Sequence, residues 1–393
     1  MNLTEKGRAA FDYAKKYFPN NWFSAAELSE KCGEKIAAAT LNGIVSRGYM
    51  EKMAGSPVKF CFVGDVDNII VDEEPDSKIT NQHLIKAGKA KKDEFYTSLE
   101  DVNAELIKYK KYFKGKKVLL NCNDTEESAF WQFFLKNFDA WQLEELVGIS
   151  YNEGGHGEAI IVHSDKDLNS DGFIDENDII RITLKGNGSF DSEESREYLA
   201  KCDIVCTNPP FSLFRDFMSV LFESKKRFIV LGNNNAITYQ DIFTKIKNNQ
   251  MWLGYSSNKT MTFRMPETYE SETLNEKGVK LGKVPAISWY TNLPVSRQEE
   301  PIPLTATYYD IINRREEYPT YDNYDAVEVG KVINIPKDYN GVMGVPITFL
   351  SRHCPEQFEI IGLMATTKIS EINMGYPYIN GKKKYARILI KRK

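Results

Sequence analysis

Apolar positions recur every three to four residues over 3–18 (LTEKGRAAFDYAKKYF), 23–32 and 34–48, the spacing that lays one apolar stripe along a helix. Pro19-Asn20-Asn21 breaks the first pair of helices and Gly33 the second. Ser24 stands three residues before Glu27, the spacing of a capping box. After Gly48 come two strand-like runs, 49–54 and 58–64, joined by Gly55-Ser56-Pro57, which is hairpin chemistry. Three helices and a small hairpin describe a winged helix-turn-helix over residues 1–64. In such a domain the third helix enters the major groove, which puts Lys35, Thr40, Asn42 and Arg47 within reach of bases or phosphates. A three-helix module that binds protein has the same pattern.

The pattern changes after residues 65–80, an acidic stretch with Pro75 that reads as a linker. From residue 81, helical and strand-like segments alternate: helix 101–113, strand 116–122, helix 129–141, strand 143–151, strand 202–208, helix 211–225, strand 227–233, helix 236–249. This alternation predicts an α/β fold with a doubly wound parallel sheet. Runs at 251–266 and 285–293 follow with no helix between them, so they are expected to pair antiparallel. Five parallel strands closed by a terminal antiparallel hairpin would be the Rossmann-like sheet of class I S-adenosylmethionine-dependent methyltransferases, spanning 81–300. Residues 301–393 are rich in Tyr, Pro and Asp, resist reading by periodicity, and are expected to form an accessory or target-recognition region.

Composition narrows the class. A chain of 393 residues, 42% hydrophobic and 27% charged, has ordinary globular balance and length for two or three domains. No apolar run approaches the length of a membrane span and the start lacks a signal peptide's apolar region, so a cytoplasmic protein without a membrane partner is expected. The 6 cysteines (Cys32, Cys61, Cys122, Cys202, Cys206, Cys354) form no CxxC pair and only 4 histidines accompany them, which argues against a disulfide framework or a structural zinc. A net charge of -4 argues against indiscriminate coating of nucleic acid. Basic clusters at 86–92, 108–117 and 380–393 nevertheless suggest a phosphate-facing surface.

The segment CDIVCTNPPFSLF, 202–214, ends a strand in Asn208-Pro209-Pro210-Phe211. In open parallel sheets ligands bind beyond the strands' carboxyl ends, near the point where strand order reverses. An exocyclic amine of a base is a poor nucleophile, because its lone pair is delocalised into the ring, and it needs acceptors that pull on both N–H bonds. The Asn208 side-chain oxygen supplies one and the Pro209 carbonyl the other. The prolines restrict the backbone, so the carbonyl is held in place before reaction. Phe211 is then placed to stack on the base. With an activated sulfonium as donor, the remaining task is in-line positioning, and no strong general base is required. A plain strand-ending turn has the same four letters.

With these residues in order, the chain resembles the EcoRI-type adenine-specific DNA methyltransferases from about residue 93 to its end. The resemblance rests on DEFYT (93–97), VLLNCNDTEESAF, CDIVCTNPPFSLF, LGNNNAITY, WLGYSS, GVMGVPITFL and PEQFEIIGL. It implies methyl transfer from S-adenosylmethionine to adenine N6 in a specific sequence of double-stranded DNA, with the base flipped from the duplex. Asn208, Pro209, Pro210 and Phe211 would be the catalytic tetrad, and Phe95, Tyr96 and Thr97 would contact the cofactor. The loop after the first strand, NCNDTEES, lacks the glycines of the general methyltransferase pattern. Asn123, Asp124 and Ser128 would replace them at the cofactor, although Ser128 has the position of a cap for the next helix. Asp191 falls where methyltransferases place an acid beside the cofactor's adenine. A monomer acting with a separate restriction endonuclease is expected of such a system. Three alternatives stay open: a cytosine-N4 enzyme, where Ser usually replaces the Asn; a glutamine-modifying enzyme, where Tyr usually replaces the Phe; and a catalytically silent DNA-binding regulator.

One further pattern stands apart. DLNSDGFIDEND, 167–178, matches a calcium-loop template with Asp167, Asn169, Asp171, the Phe173 carbonyl and Asp178 as ligands for a structural Ca²⁺. Its flanks look like strands, not helices, and a hairpin tip rich in Gly, Asp and Asn has the same composition.

Overall fold

The computed structural model describes residues 5–18, 22–45, 50–53, 57–62, 96–122, 125–265, 273–274, 280–309 and 317–393. The chain divides into two units, Met1–Asn81 and Gln82–Lys393. The expected linker, 65–80, lies outside the described residues.

The first unit contains α1 (Glu5–Tyr17), β1 (Phe23–Ser24), α2 (Ala25–Cys32), α3 (Ala38–Val45), β2 (Met50–Met53) and β3 (Lys59–Phe62). The capping box is formed at the start of α2: Glu27 N donates to Ser24 Oγ at 3.2 Å and Ser24 N donates to Glu27 Oε2 at 2.6 Å. β3 pairs antiparallel with both β1 and β2. Phe11, Phe23, Leu28, Leu41, Ile44 and Phe60 meet in its core. The third helix begins at Ala38, later than its periodicity predicts. Ser29 Oγ accepts from Ile36 N at 2.9 Å and so holds the preceding residues in a turn. Exposed Lys35 therefore lies in that turn, while half-buried Thr40 and exposed Asn42 lie on α3. Arg47 is outside the described residues.

The second unit is built on a 10-stranded sheet whose main path runs β10-β13-β9-β8-β4-β5-β6-β7. Its strands are β4 (Lys117–Leu120), β5 (Glu145–Ser150), β6 (Glu158–His163), β7 (Ile180–Thr183), β8 (Ile204–Thr207), β9 (Arg227–Asn233), β10 (Trp252–Leu253), β11 (Lys259–Arg264), β12 (Thr273–Leu274) and β13 (Lys280–Thr291). Among the described residues the parallel pairings of this sheet join β9, β8, β4 and β5, a run of four strands where five were expected. The next strand outward, β6, runs antiparallel to β5. The seven residues between them are too few for the crossover that a parallel neighbour requires. At the other edge the expected antiparallel closure is present, with β10 and β11 both pairing on β13.

Alternate strand residues face opposite layers, as a pleat requires. Leu120, Ile204 and Ile229 pack with Val102, Leu106, Phe130 and Phe134 from helices α4 (Leu99–Leu106) and α5 (Ala129–Lys136). Leu119, Val205 and Val230 face the other way, toward Leu199, Phe217 and Phe243 from α6 (Glu193–Lys201), α7 (Phe214–Glu223) and α8 (Gln240–Lys247). The same second core takes in Val345, Ile360, Ile388 and Ile390 from a further sheet, ordered β14-β15-β19-β16. These strands are β14 (Val327–Glu328), β15 (Met343–Pro346), β16 (Phe358–Met364) and β19 (Arg387–Arg392). Residues 301–393 thus share a core with the large sheet and belong to one unit with it.

A buried carboxylate ties α4 to the far edge. Glu105 is fully buried and accepts from Tyr109 OH at 2.9 Å, Tyr255 N at 2.7 Å and Ser256 N at 2.6 Å. Burial pushes its pKa up, partly offset by those donors. The loop after β10 fits under it because residue 254 has no side chain. A Cβ at Gly254 would stand 2.3 Å from Glu105 Oε1 and 2.8 Å from Trp289 Cβ. Gly254→Ala is therefore expected to lower the unfolding free energy by about 1–3 kcal/mol, measured by urea titration; an unchanged midpoint would contradict this account of the clamp.

Candidate active site

β4 has β5 on one side and β8 on the other, so the order of the parallel strands reverses between β4 and β8. A crevice opens at such a point beyond the carboxyl ends. The pairing of Val118 with Ile204 and Leu119 with Val205, carried forward, brings Cys122 level with Asn208. Both residues line a cavity of about 570 Å³. Its other walls come from residues 96–101, from 127–130 with Gln132, and from Thr260, Met261, Thr262 and Arg264 on β11.

Each wall is held by identifiable contacts. Asn208 Nδ2 donates to Thr97 Oγ1 at 3.2 Å, joining segments 111 residues apart. Tyr96 exchanges two backbone hydrogen bonds of 3.0 Å with Arg264, whose guanidinium lies 4.7 Å from the Tyr96 ring centroid. Arg264 also pairs with Glu127 at 3.4 Å. Two helices begin at the wall. Ser98 caps α4 by accepting from Asp101 N at 3.1 Å, and Ser128 caps α5 by accepting from Phe130 N at 3.2 Å. After Asn208, the Pro210 carbonyl accepts from Leu213 N at 2.9 Å, a turn that leads into α7. Phe211 packs edge-on against Phe263, ring centroids 6.1 Å apart.

The structure thus brings together Tyr96, Thr97, Ser128, Asn208 and Pro210 on one cavity, with Pro209 buried and Phe211 half-buried beside them. Phe95, Asn123 and Asp124 lie outside the described residues. Asp191 is not on the cavity wall; it accepts from Ser189 Oγ just ahead of α6. Sequence reasoning missed Arg264 and its strand neighbours, whose run MTFRMP was legible as a strand but carried no sign of what it would face. It also missed Asn121. This residue ends β4's apolar run, is 1% exposed, and neither of its amide atoms has a hydrogen-bond partner among the described residues. Buried amides are satisfied in nearly all native proteins, and Asn121 is not among the residues that line the cavity. A cavity of this volume with acidic, hydroxyl and amide groups suits a polar cofactor that carries positive charge.

The loop 167–178 is the tip of the β6–β7 hairpin, as its strand-like flanks suggest. Asp167 accepts from Asp171 N at 3.2 Å and Gly172 N at 2.8 Å, Asp171 accepts from Phe173 N at 2.9 Å, and Asn169 Nδ2 donates to Asp171. Asp178 is buried and accepts from Asp175 N at 2.9 Å and Leu168 N at 2.6 Å; these bonds, that from Asp175 foremost, hold its pKa below the usual carboxylate range. Among the described residues no group of three or more His, Cys, Asp or Glu is placed to hold a metal ion, so the Ca²⁺ expectation finds no support. The acids satisfy the backbone of a tight loop instead. Among the described residues no helix is long and apolar enough to cross a membrane.

Fold and cavity together describe an α/β protein with a candidate site at a strand-order reversal. The family described as "Adenine-specific methyltransferase EcoRI" matches residues 83–393. The chain is 40% identical over 327 residues to the Type II methyltransferase M.MgeORF184P of Mycoplasma genitalium, covering 79% of this chain and 98% of that protein. It is 41% identical over 325 residues to M.MpnI of Mycoplasma pneumoniae, covering 78% and 97%. It is 40% identical over 330 residues to M.EcoRI of Escherichia coli, covering 80% and 97%. The chain belongs to the EcoRI-type adenine-specific methyltransferase family and is an enzyme of that family. Membership sets aside the cytosine-N4, glutamine and silent-regulator alternatives. The match begins next to the boundary between the two units, so the first unit lies outside it.

Thr97→Val removes the anchor of Asn208 while nearly preserving volume. It is expected to lower kcat about ten-fold, the value of one hydrogen bond, with Thr97→Ser close to wild type in steady-state methyl-transfer assays. Equal kcat for the Val variant and wild type would refute this positioning role.

Proposed function

We propose that the enzyme methylates adenine N6 in a specific double-stranded DNA sequence, using S-adenosylmethionine and a flipped target base, on a class I methyltransferase sheet. The observation that carries this reading is Asn208, held by Thr97 on the wall of a cavity where strand order reverses. When bound, the cofactor supplies an activated methyl group on a sulfonium. Tyr96, Thr97 and the caps around Ser98 and Ser128 would hold it, with Phe95, Asn123 and Asp124 as the expected additions from adjoining segments. The Asn208 side-chain oxygen and the Pro209 carbonyl accept from the two amine hydrogens, which raises electron density on the nitrogen as the new bond forms. Pro210 closes the turn into α7 with its own carbonyl, which leaves the carbonyl of the Pro209–Pro210 peptide for the amine. Phe211, backed by Phe263, offers its face to the base. Positioning carries the rate, and the proton leaves from an amine already made acidic by transfer.

In this reading the first unit is a winged helix that adds DNA contact through Lys35, Thr40, Asn42 and Arg47. Its three helices and three-stranded antiparallel sheet support that assignment. The enzyme acts as a monomer, and its methylation protects DNA from a separate restriction endonuclease.

Asn208→Ala is expected to reduce methyl transfer at least about 100-fold, the scale of losing a preorganised transition-state contact, with cofactor affinity by calorimetry within about two-fold of wild type. Wild-type turnover in this variant would overturn the mechanism. Single-molecule sequencing of host DNA after expression should reveal N6-methyladenine at one motif; its absence from active preparations would refute the substrate assignment. Deleting residues 1–81 should weaken duplex binding and flatten its salt dependence. An unchanged slope would make the first unit a protein-binding module.

A further inference from the structure

The Tyr- and Asp-rich stretch commits three consecutive side chains to one short hairpin. That hairpin is β17 (Tyr378–Ile379) and β18 (Lys382–Lys383), paired antiparallel with Tyr378 opposite Lys383. Its tip, Asn380-Gly381, has φ of 51° and 71°, the left-handed pair that a type I′ turn requires. The Asp322 carboxylate accepts from both tip amides, Asn380 N at 3.0 Å and Gly381 N at 2.8 Å. Asn323 Nδ2 donates to the carbonyls of Met374 at 3.3 Å and Tyr376 at 3.0 Å, on the approach to β17. Tyr321 OH donates to Glu328, and Glu328 receives Arg387 Nε at 2.9 and 3.0 Å. Arg387 opens β19 directly after the hairpin, and this ion pair is largely buried. Two-stranded hairpins are marginal alone in water, so the contacts at tip and root are what hold this one.

Residues 380–385 are exposed without interruption. They include Lys382, Lys383 and Lys384, no acid, and then Tyr385, which is 81% exposed. The Lys383 ammonium lies 3.2 Å from the Tyr376 ring centroid, which orients it on the hairpin surface. In a chain of net charge -4, an unbroken basic tip on a pinned support is complementary to a polyanion. A mobile lysine loop would lose conformational entropy on binding, whereas this one presents its charges already ordered.

We propose that the β17–β18 hairpin is a rigid contact for the DNA duplex, with Lys382, Lys383 and Lys384 on phosphates and Tyr385 against a sugar or base edge. The proposal rests on DNA being the substrate. The test uses the full chain and fluorescence anisotropy with a labelled duplex of mixed sequence, titrated at several salt concentrations. Replacing all three lysines (K382A/K383A/K384A) should raise Kd about ten-fold near 0.1 M salt and lower the salt slope by about 2 to 3. Tyr385→Ala should weaken binding with the slope unchanged. Asp322→Ala, which keeps every lysine but releases the tip, should do the same. S-adenosylmethionine affinity should be unaltered in all three. Wild-type Kd and slope in the triple-lysine variant, with wild type binding the duplex, would overturn the hairpin contact and leave the substrate reading intact. Failure of the wild-type chain to bind any duplex would overturn both.

Discussion

The parallel pairing of β4 with β8 is the constraint on which the rest depends. Both faces of these strands are covered, one by α4 and α5 and the other by α6 to α8 with the C-terminal sheet. Strands buried on both faces have no surface on which to hold chemistry, so polar residues appear where the strands stop. Because strand order reverses here, the two chain ends diverge and leave a crevice in place of a crossover. Cys122 and Asn208 stand on that crevice for this reason alone.

Around the crevice, distant segments are joined by small polar contacts placed where packing alone would not fix them. Thr97 to Asn208 joins the entry of α4 to the end of β8, and the Tyr96–Arg264 pairing joins that entry to β11. Glu105 secures the other end of α4 beneath the loop after β10. The pairing of Glu328 with Arg387 and Tyr321 does comparable work in the C-terminal sheet. Removing one partner of such a pair leaves a buried polar group unmatched, which costs more than the contact contributes when made. These contacts fix geometry around the cavity and at the edge of the C-terminal sheet.

Local signals in the sequence were reliable where local physics governs. The Ser24–Glu27 box, the strand ending in Asn208 and the Ser128 cap depend on neighbours a few residues away, and each is present. The family blocks fell within the stretch that the family match covers. The sequence was ambiguous where one pattern serves two structures. The letters of 167–178 fit a cation loop or a hairpin tip, and the acids bond their own backbone. The start of α3 was placed early because apolar spacing does not register Ser29 holding Ile36 in a turn. The count of parallel strands was one too high because strand direction follows connection length, which the spacing of apolar runs does not convey.

By itself the sequence determined most strands and helices up to residue 300, the resemblance to EcoRI-type methyltransferases from about residue 93, and which four residues follow the β8 strand, since these rest on short-range periodicity and motif chemistry. Only the tertiary structure decided that Asn208 donates to Thr97, that Arg264 lines the cavity, that Asn121 is buried with no hydrogen-bond partner among the described residues, and that Asp322 pins the lysine hairpin. Each of these, Asn121 included, turns on neighbours far away in the chain. Such neighbours are brought together by burial of the two cores, which no pattern along the sequence encodes.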